Sequence, residues 1–197
     1  MITSATRRRI DYDPESWGAK CPICAIRDVC QRISPKGPPD APIAIVGEGP
    51  GVTEIERRSF FVGVSGRLLL DLFAEANKTL PRDVPRLRYD DLWITNAILG
   101  KPKIDLDTFM TSLRKRNKEL GKTYRDAVRR AERGARALVP RPDIRLDPFE
   151  ACRPRLMKEL ANRRVVIPMG SYALATIDPK KRGIMKWFGG PFQMDLG

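Results

Sequence analysis

The chain has 197 residues, with 37 Lys/Arg against 24 Asp/Glu, a formal net charge of +13 and no histidine. The length suits one domain spanning 1–197 with a single core, and so basic a domain meets a polyanion by default, nucleic acid first. The lack of histidine excludes histidine triads, zinc–histidine sites and histidine general bases. No run of 18 apolar residues offers a membrane span, and no apolar segment follows Arg7–Arg9 to make a secretory signal. An intracellular, cytoplasmic protein with reduced thiols is the expectation.

In chain order, a polar lead-in precedes Cys21-Pro-Ile-Cys24, with Cys30 six residues on and Cys152 far away. A CxxC turn lets two thiolates bind one metal, and four reduced cysteines suit one shared four-thiolate site, either an iron–sulfur cluster or zinc. Cys152 also fits a second pattern, because Phe149, Cys152, Leu156 and Leu160 repeat at helical spacing and a small buried residue would serve there. After a Pro/Gly loop at 33–40, Pro42–Val46 reads as a strand buried on both faces. Gly47–Gly66 reads as a long loop whose glycines let the backbone approach a ligand. It carries Glu48, Glu54, Phe60 and Phe61, which suit a flat, uncharged, hydrogen-bonding ligand. Neither a Walker pattern nor GxGxxG is present. Leu68, Leu69, Leu72, Phe73 and Ala76 predict one apolar stripe on a following helix.

Leu92–Thr95 predicts a second strand, with Asn96 at its carboxyl end where such sheets bind ligands. Asn96 is equally suited to base recognition and to capping a turn. Positions 101–146 predict one or two helices, from apolar residues at Leu113, Leu120, Tyr124, Val128, Ala131, Ala135 and Leu138. Between 101 and 145 the chain has 14 Lys/Arg and 6 Asp/Glu, a net +8. Such a stretch either meets phosphates or stays solvated. Asp147-Pro148 predicts an N-cap and first turn of a helix to about Asn162. Val165–Pro168 then predicts a third strand, and 170–176 a short helix. Alternating strands and helices predict a three-layer α/β/α sandwich with a small central parallel sheet.

The run Gly47-Glu-x-Pro-Gly-x-x-Glu54, Phe61-Val-Gly63, Ser65-Gly-Arg-Leu-Leu69 resembles, without a gap, the first motif of the family four uracil-DNA glycosylases. Ile55, Arg58 and Phe60 depart from that family's Asp, Gly and Pro. Thr95-Asn96 and 163–176 resemble later segments, as do Arg182-Gly183 and Trp187-Phe188-Gly189, so the resemblance covers most of the chain from Cys21 apart from the basic insertion. It implies a uracil-DNA glycosylase-like fold and a repair enzyme that flips uracil from DNA and hydrolyses its N-glycosidic bond. Phe61 would stack on the base, Asn96 would read its edge, and Gly49 with the backbone near Glu48 would hold its carbonyls. Glu48, then Glu54, would be the catalytic carboxylate, and Ser65, Gly66 and Arg67 would lie on DNA. Cys21, Cys24 and Cys152 match three ligands of a 4Fe–4S cluster. Gly100 stands at the family's other cysteine, so Cys30 would supply the fourth; zinc is the alternative. The resemblance further implies a monomer acting on uracil-containing DNA, away from membranes. In the family a His-Pro-Ser motif follows the last strand, past Gly197. The expectation is therefore a truncated or divergent member with weak or no activity, or a glycosylase-like nucleic-acid-binding module of a replication protein.

Overall fold

The computed structural model describes residues 12–28, 31–133, 139–181, 183–187 and 189–193. Cys30, Ala135, Leu138, Arg182 and Phe188 lie outside the described residues, as does the Arg7–Arg9 run. Strand β1, Ile43–Gly47, is almost fully buried. Its successive side chains point to opposite faces, so Ala44 and Val46 enter one core cluster and Ile45 the other. A short helix α1, Val52–Arg57, follows, where a continuous loop was expected. Its reason is local: Glu54 closes a capping box on Gly51, accepting the Gly51 N–H at 2.8 Å.

Helix α2, Val64–Thr79, covers one face of the sheet. Of its expected stripe, Leu69 is buried and Phe73 packs against the core, but Leu68 and Leu72 are 59% and 54% exposed. The helix packs along the line of Leu69 and Phe73, which turns positions 68 and 72 outward. Strand β2, Trp93–Asn96, is buried throughout. Helix α3, Leu106–Glu132, is one continuous element, with Asp105 as its N-cap accepting from Thr108 N. Helix α4, Pro148–Leu160, starts at Asp147, whose carboxylate accepts from Phe149 N at 2.8 Å. Strand β3, Val165–Pro168, and helix α5, Ser171–Ile177, complete the order.

The sheet is parallel throughout, in the order β2–β1–β3. Ile45, Ile94, Leu69 and Phe60 form the core on the α2 side. Ala44, Val46, Trp93, Met110, Leu156, Leu160 and Ile177 form it on the side of α3, α4 and α5. The result is the expected three-layer α/β/α sandwich. Among the described residues no helix is long and apolar enough to cross a membrane.

Candidate nucleic-acid base site

Parallel register brings the carboxyl ends of the strands side by side. Gly47 pairs with Asn96, and Val46 with Pro168. The pairing continues past the strands, with Ala97 N donating to Gly47 O at 2.7 Å and Ile98 N to Glu48 O at 3.0 Å. Loops leaving one edge of a parallel sheet form a crevice there.

Gly47 is the hinge of this crevice. A Cβ at that position would collide with Asn96 Oδ1 and lie 3.2 Å from Phe61 Cζ. The missing side chain thus lets Asn96 and Phe61 close over one spot. Asn96 is 2% exposed, and its Nδ2 is buried with no hydrogen-bond partner. An unsatisfied buried donor costs about 1–3 kcal/mol, so such a group calls for an explanation, and an incoming acceptor supplies one. Gly49 lies against Ile98, whose Cγ1 would be 2.8 Å from a Cβ at that glycine.

Phe61 is held from three directions. Its backbone has φ of 52°, the left-handed region that a bulky residue seldom adopts. Its N–H donates to Glu54 Oε1, while Glu54 Oε2 holds Gly51 N. Its carbonyl packs so closely on Gly66 that a methyl group there would overlap it. The preceding residue, Phe60, is fully buried, and its carbonyl accepts from Lys36 Nζ at 3.1 Å and Tyr89 Oη at 3.3 Å. Both Glu54 oxygens are therefore engaged in shaping the loop. Gly66 is buried beneath Phe61, while Ser65 and Arg67 are exposed on the first turn of α2. Gly66→Ala should lower the unfolding free energy by about 1–3 kcal/mol, the usual effect of overpacking. An unchanged midpoint in urea would show that Phe61 moves freely.

Glu48 takes a different position. Its Oε1 accepts from Tyr172 N at 2.9 Å and from Ser171 Oγ at 3.4 Å, at the start of α5. Gly170, at φ of +107°, leaves the space that the Glu48 side chain fills. Among the described residues its second oxygen, Oε2, has no partner. Tyr172 Oη donates to Asp107 Oδ1 at 2.6 Å, and its ring stacks on Phe149 at 4.7 Å and 3°. Burial, then the hydrogen bond to Asp107, pushes the Tyr172 hydroxyl up to about 12.

Behind Asn96 lies a polar cluster that the sequence reading missed. Arg155 is fully buried and donates to Asn96 O and Ala97 O, both at 2.8 Å, and to Thr95 Oγ1 at 3.0 Å. It pairs with Glu159 at 2.9 Å. Glu159 also accepts from Tyr12 Oη and, at 3.2 Å, from Trp93 Nε1. Burial alone would weaken the charge on Arg155, but the adjacent Glu159 carboxylate outweighs it and holds the guanidinium protonated. A signal existed: positions 155 and 159 fall on the same helical stripe as Cys152, Leu156 and Leu160.

Cys152 lies on the buried, sheet-facing stripe of α4, and Cys24 packs into the same core cluster. The 3-10 turn Cys21–Ile23 is joined to that region by Lys20 N to Ala151 O at 2.9 Å and Leu146 N to Ile23 O at 2.8 Å. Cys21, Cys24 and Cys152 are all buried, and Cys24 and Cys152 share one core cluster. Among the described residues no three Cys, Asp or Glu side chains are arranged to hold a metal ion; Cys30 lies outside them. A separate groove of about 1010 Å³ runs beside β3, between Arg163 and Phe192.

No curated protein matches the chain. The family model of the uracil DNA glycosylase superfamily matches residues 34–192, a span that contains the glycine loop, Phe61, Asn96, Arg155 and Glu159. With four-fifths of its length matched, and with the parallel sheet and loop-built crevice in place, the chain belongs to the uracil DNA glycosylase superfamily.

Proposed function

We propose that the protein excises uracil from DNA, and that the unpartnered Nδ2 of Asn96, whose side chain converges with Phe61 on Gly47, is the observation that carries this reading. Superfamily members act on DNA and break an N-glycosidic bond, which is shielded while the base is stacked, so the base must leave the helix first. A flipped uracil presents carbonyl oxygens and one N–H. The buried Asn96 amide offers a donor to a carbonyl and an acceptor to the N–H. The Phe61 ring supplies an apolar plane that every pyrimidine can stack on.

Bond cleavage leaves positive charge on the sugar and negative charge on the departing base. In this reading Glu48 is the catalytic carboxylate: one oxygen is fixed by the α5 backbone and the other is open to face the sugar or orient water. Glu54 acts as a positioning residue, holding Phe61 through its backbone. The N–H groups near Gly49 would meet the developing anion, a role that needs no histidine. Ser65 and Arg67, exposed at the start of α2, would contact phosphate.

We further assign Cys21, Cys24, Cys152 and Cys30 as ligands of a 4Fe–4S cluster, with zinc the competing occupant. A single zinc draws its thiolates to about 2.3 Å, whereas a cluster spreads them around several irons, and the match of Cys21, Cys24 and Cys152 to the ligand positions of the family four enzymes favours the cluster. Its contribution when bound is structural, tying the CxxC turn to α4. Iron and acid-labile sulfide in stoichiometric amounts in anaerobically purified protein would support the assignment, and stoichiometric zinc in their place would refute it.

The deciding experiment measures uracil release from single- and double-stranded oligonucleotides by the wild type and by Glu48→Gln. Release that falls with Glu48→Gln supports the proposal. No release from any uracil substrate, with retained DNA binding, would leave a glycosylase-like binding module instead.

A further inference from the structure

Helix α3 runs for 27 residues, yet only Met110 and Leu113 are buried along it. Asn117 Nδ2 donates to Arg145 O at 2.8 Å. Among the described residues no hydrogen bond ties α3 to the rest of the domain beyond that point. On the outer part, Leu120, Tyr124 and Val128 lie partly covered along one side. Lys115, Lys118, Lys122, Arg125 and Arg129 recur at intervals of three and four residues along another, and all five are exposed. At 3.6 residues per turn these five cations fall within an arc of about 80°, away from the apolar line. Among the described residues one acid pairs with them, Asp126, 3.9 Å from Arg129.

The helix starts at the crevice. Asp107, in its first turn, accepts from Tyr172 Oη, and Tyr172 N holds Glu48. At 1.5 Å per residue the cationic stripe then runs from about 12 to about 33 Å from that rim. Its length of about 21 Å equals the rise of about six base pairs.

We infer that this face of α3 is a second DNA contact, an outrigger that grips the phosphate backbone of duplex flanking the extruded base. It rests on the reading of the crevice as a DNA site only for its direction. Charge complementarity selects the partner, since exposed ammonium and guanidinium groups in a line, with one long surface pair among them, match a line of phosphates and release its counterions on binding. A lipid surface fits less well. An interfacial helix must sink its apolar side into the membrane, and here that side turns toward the domain at Leu113 and Asn117.

The test compares two triple variants of the whole chain that lose the same charge. One is Lys115→Gln, Lys118→Gln and Lys122→Gln; the other, a control away from α3, is Lys78→Gln, Lys158→Gln and Lys180→Gln. Binding to a uracil-free duplex of about 30 base pairs is titrated across salt concentrations. For the α3 triple, the slope of log affinity against log salt should fall by about 2–3, with at least about a tenfold loss at low salt. The control triple should change little. Equal losses in both triples would reduce the effect to net charge and overturn the inference. So would unchanged DNA binding in the α3 triple, including a case where only binding to anionic vesicles is lost. Uracil release is scored separately: if no variant releases uracil but the α3 triple still loses DNA, the outrigger stands and the excision reading falls.

Discussion

Arg155→Met is expected to lower the unfolding free energy by about 3–5 kcal/mol, the usual penalty for stranding one partner of a buried ion pair. Arg155 and Glu159 are both completely buried, so no solvent screens the charge left on Glu159. Three strand-end acceptors, Asn96 O, Ala97 O and Thr95 Oγ1, would lose their donor at the same time. Adding Glu159→Gln should recover part of the loss. The amide removes the stranded charge and keeps one acceptor, enough for Trp93 Nε1, while its NH2 donates to the Tyr12 hydroxyl oxygen. Urea unfolding of the single and double variants checks this. A single variant within about 1 kcal/mol of wild type would mean that the pair adds no more than a surface bridge does.

Asn96→Ala should separate activity from stability. The rate of uracil release is expected to fall by about 10²–10³, the range for loss of one donor aimed at developing negative charge. Stability should stay within about 1 kcal/mol, because the lost contacts are offset by removing a buried donor that has no partner in the free protein. Affinity for uracil-free DNA should hold, since phosphates dominate it. The measurements are single-turnover release, thermal unfolding and DNA titration on one preparation. Full release by Asn96→Ala would remove the residue from base recognition, and a large loss of stability would make it an ordinary core amide.

Much of the sheet was legible because its signals are local. Pro42–Val46 is apolar without interruption, as a doubly covered strand must be, and Asp147-Pro148 announces α4 by capping chemistry. The α1 turn was not legible, since three glycines around it masked a six-residue helix that depends on one carboxylate, Glu54. The same carboxylate looked catalytic in sequence, and only the fold shows both its oxygens bound to backbone. Leu68 and Leu72 misled because spacing fixes a helical stripe only to within one position. Arg155 and Glu159 escaped notice because a charged pair four residues apart on a helix is the ordinary look of a solvated surface. Their burial follows from where α4 docks, which no local pattern records. Positions such as Gly47, Gly66 and Gly170 were visible as glycines, but the partner each one admits was not.

The order of the sheet also bears on how the chain reaches it. Strand β1 meets β2 from positions 44 and 93, and β3 from positions 43 and 165. The first pairing closes a loop of 49 residues, the second one of 122. Loop-closure entropy grows only with the logarithm of length, so the longer closure is harder by about 0.8 kcal/mol. Folding should therefore begin with β1 and β2, which already aligns Gly47 with Asn96, and dock β3 afterwards. By the same arithmetic, a 27-residue helix set between β2 and β3 adds only a few tenths of a kcal/mol to the search. The length of α3 beyond Asn117 therefore has little kinetic consequence for the sheet, and what holds that outer part in place is its contact role rather than the assembly of the strands.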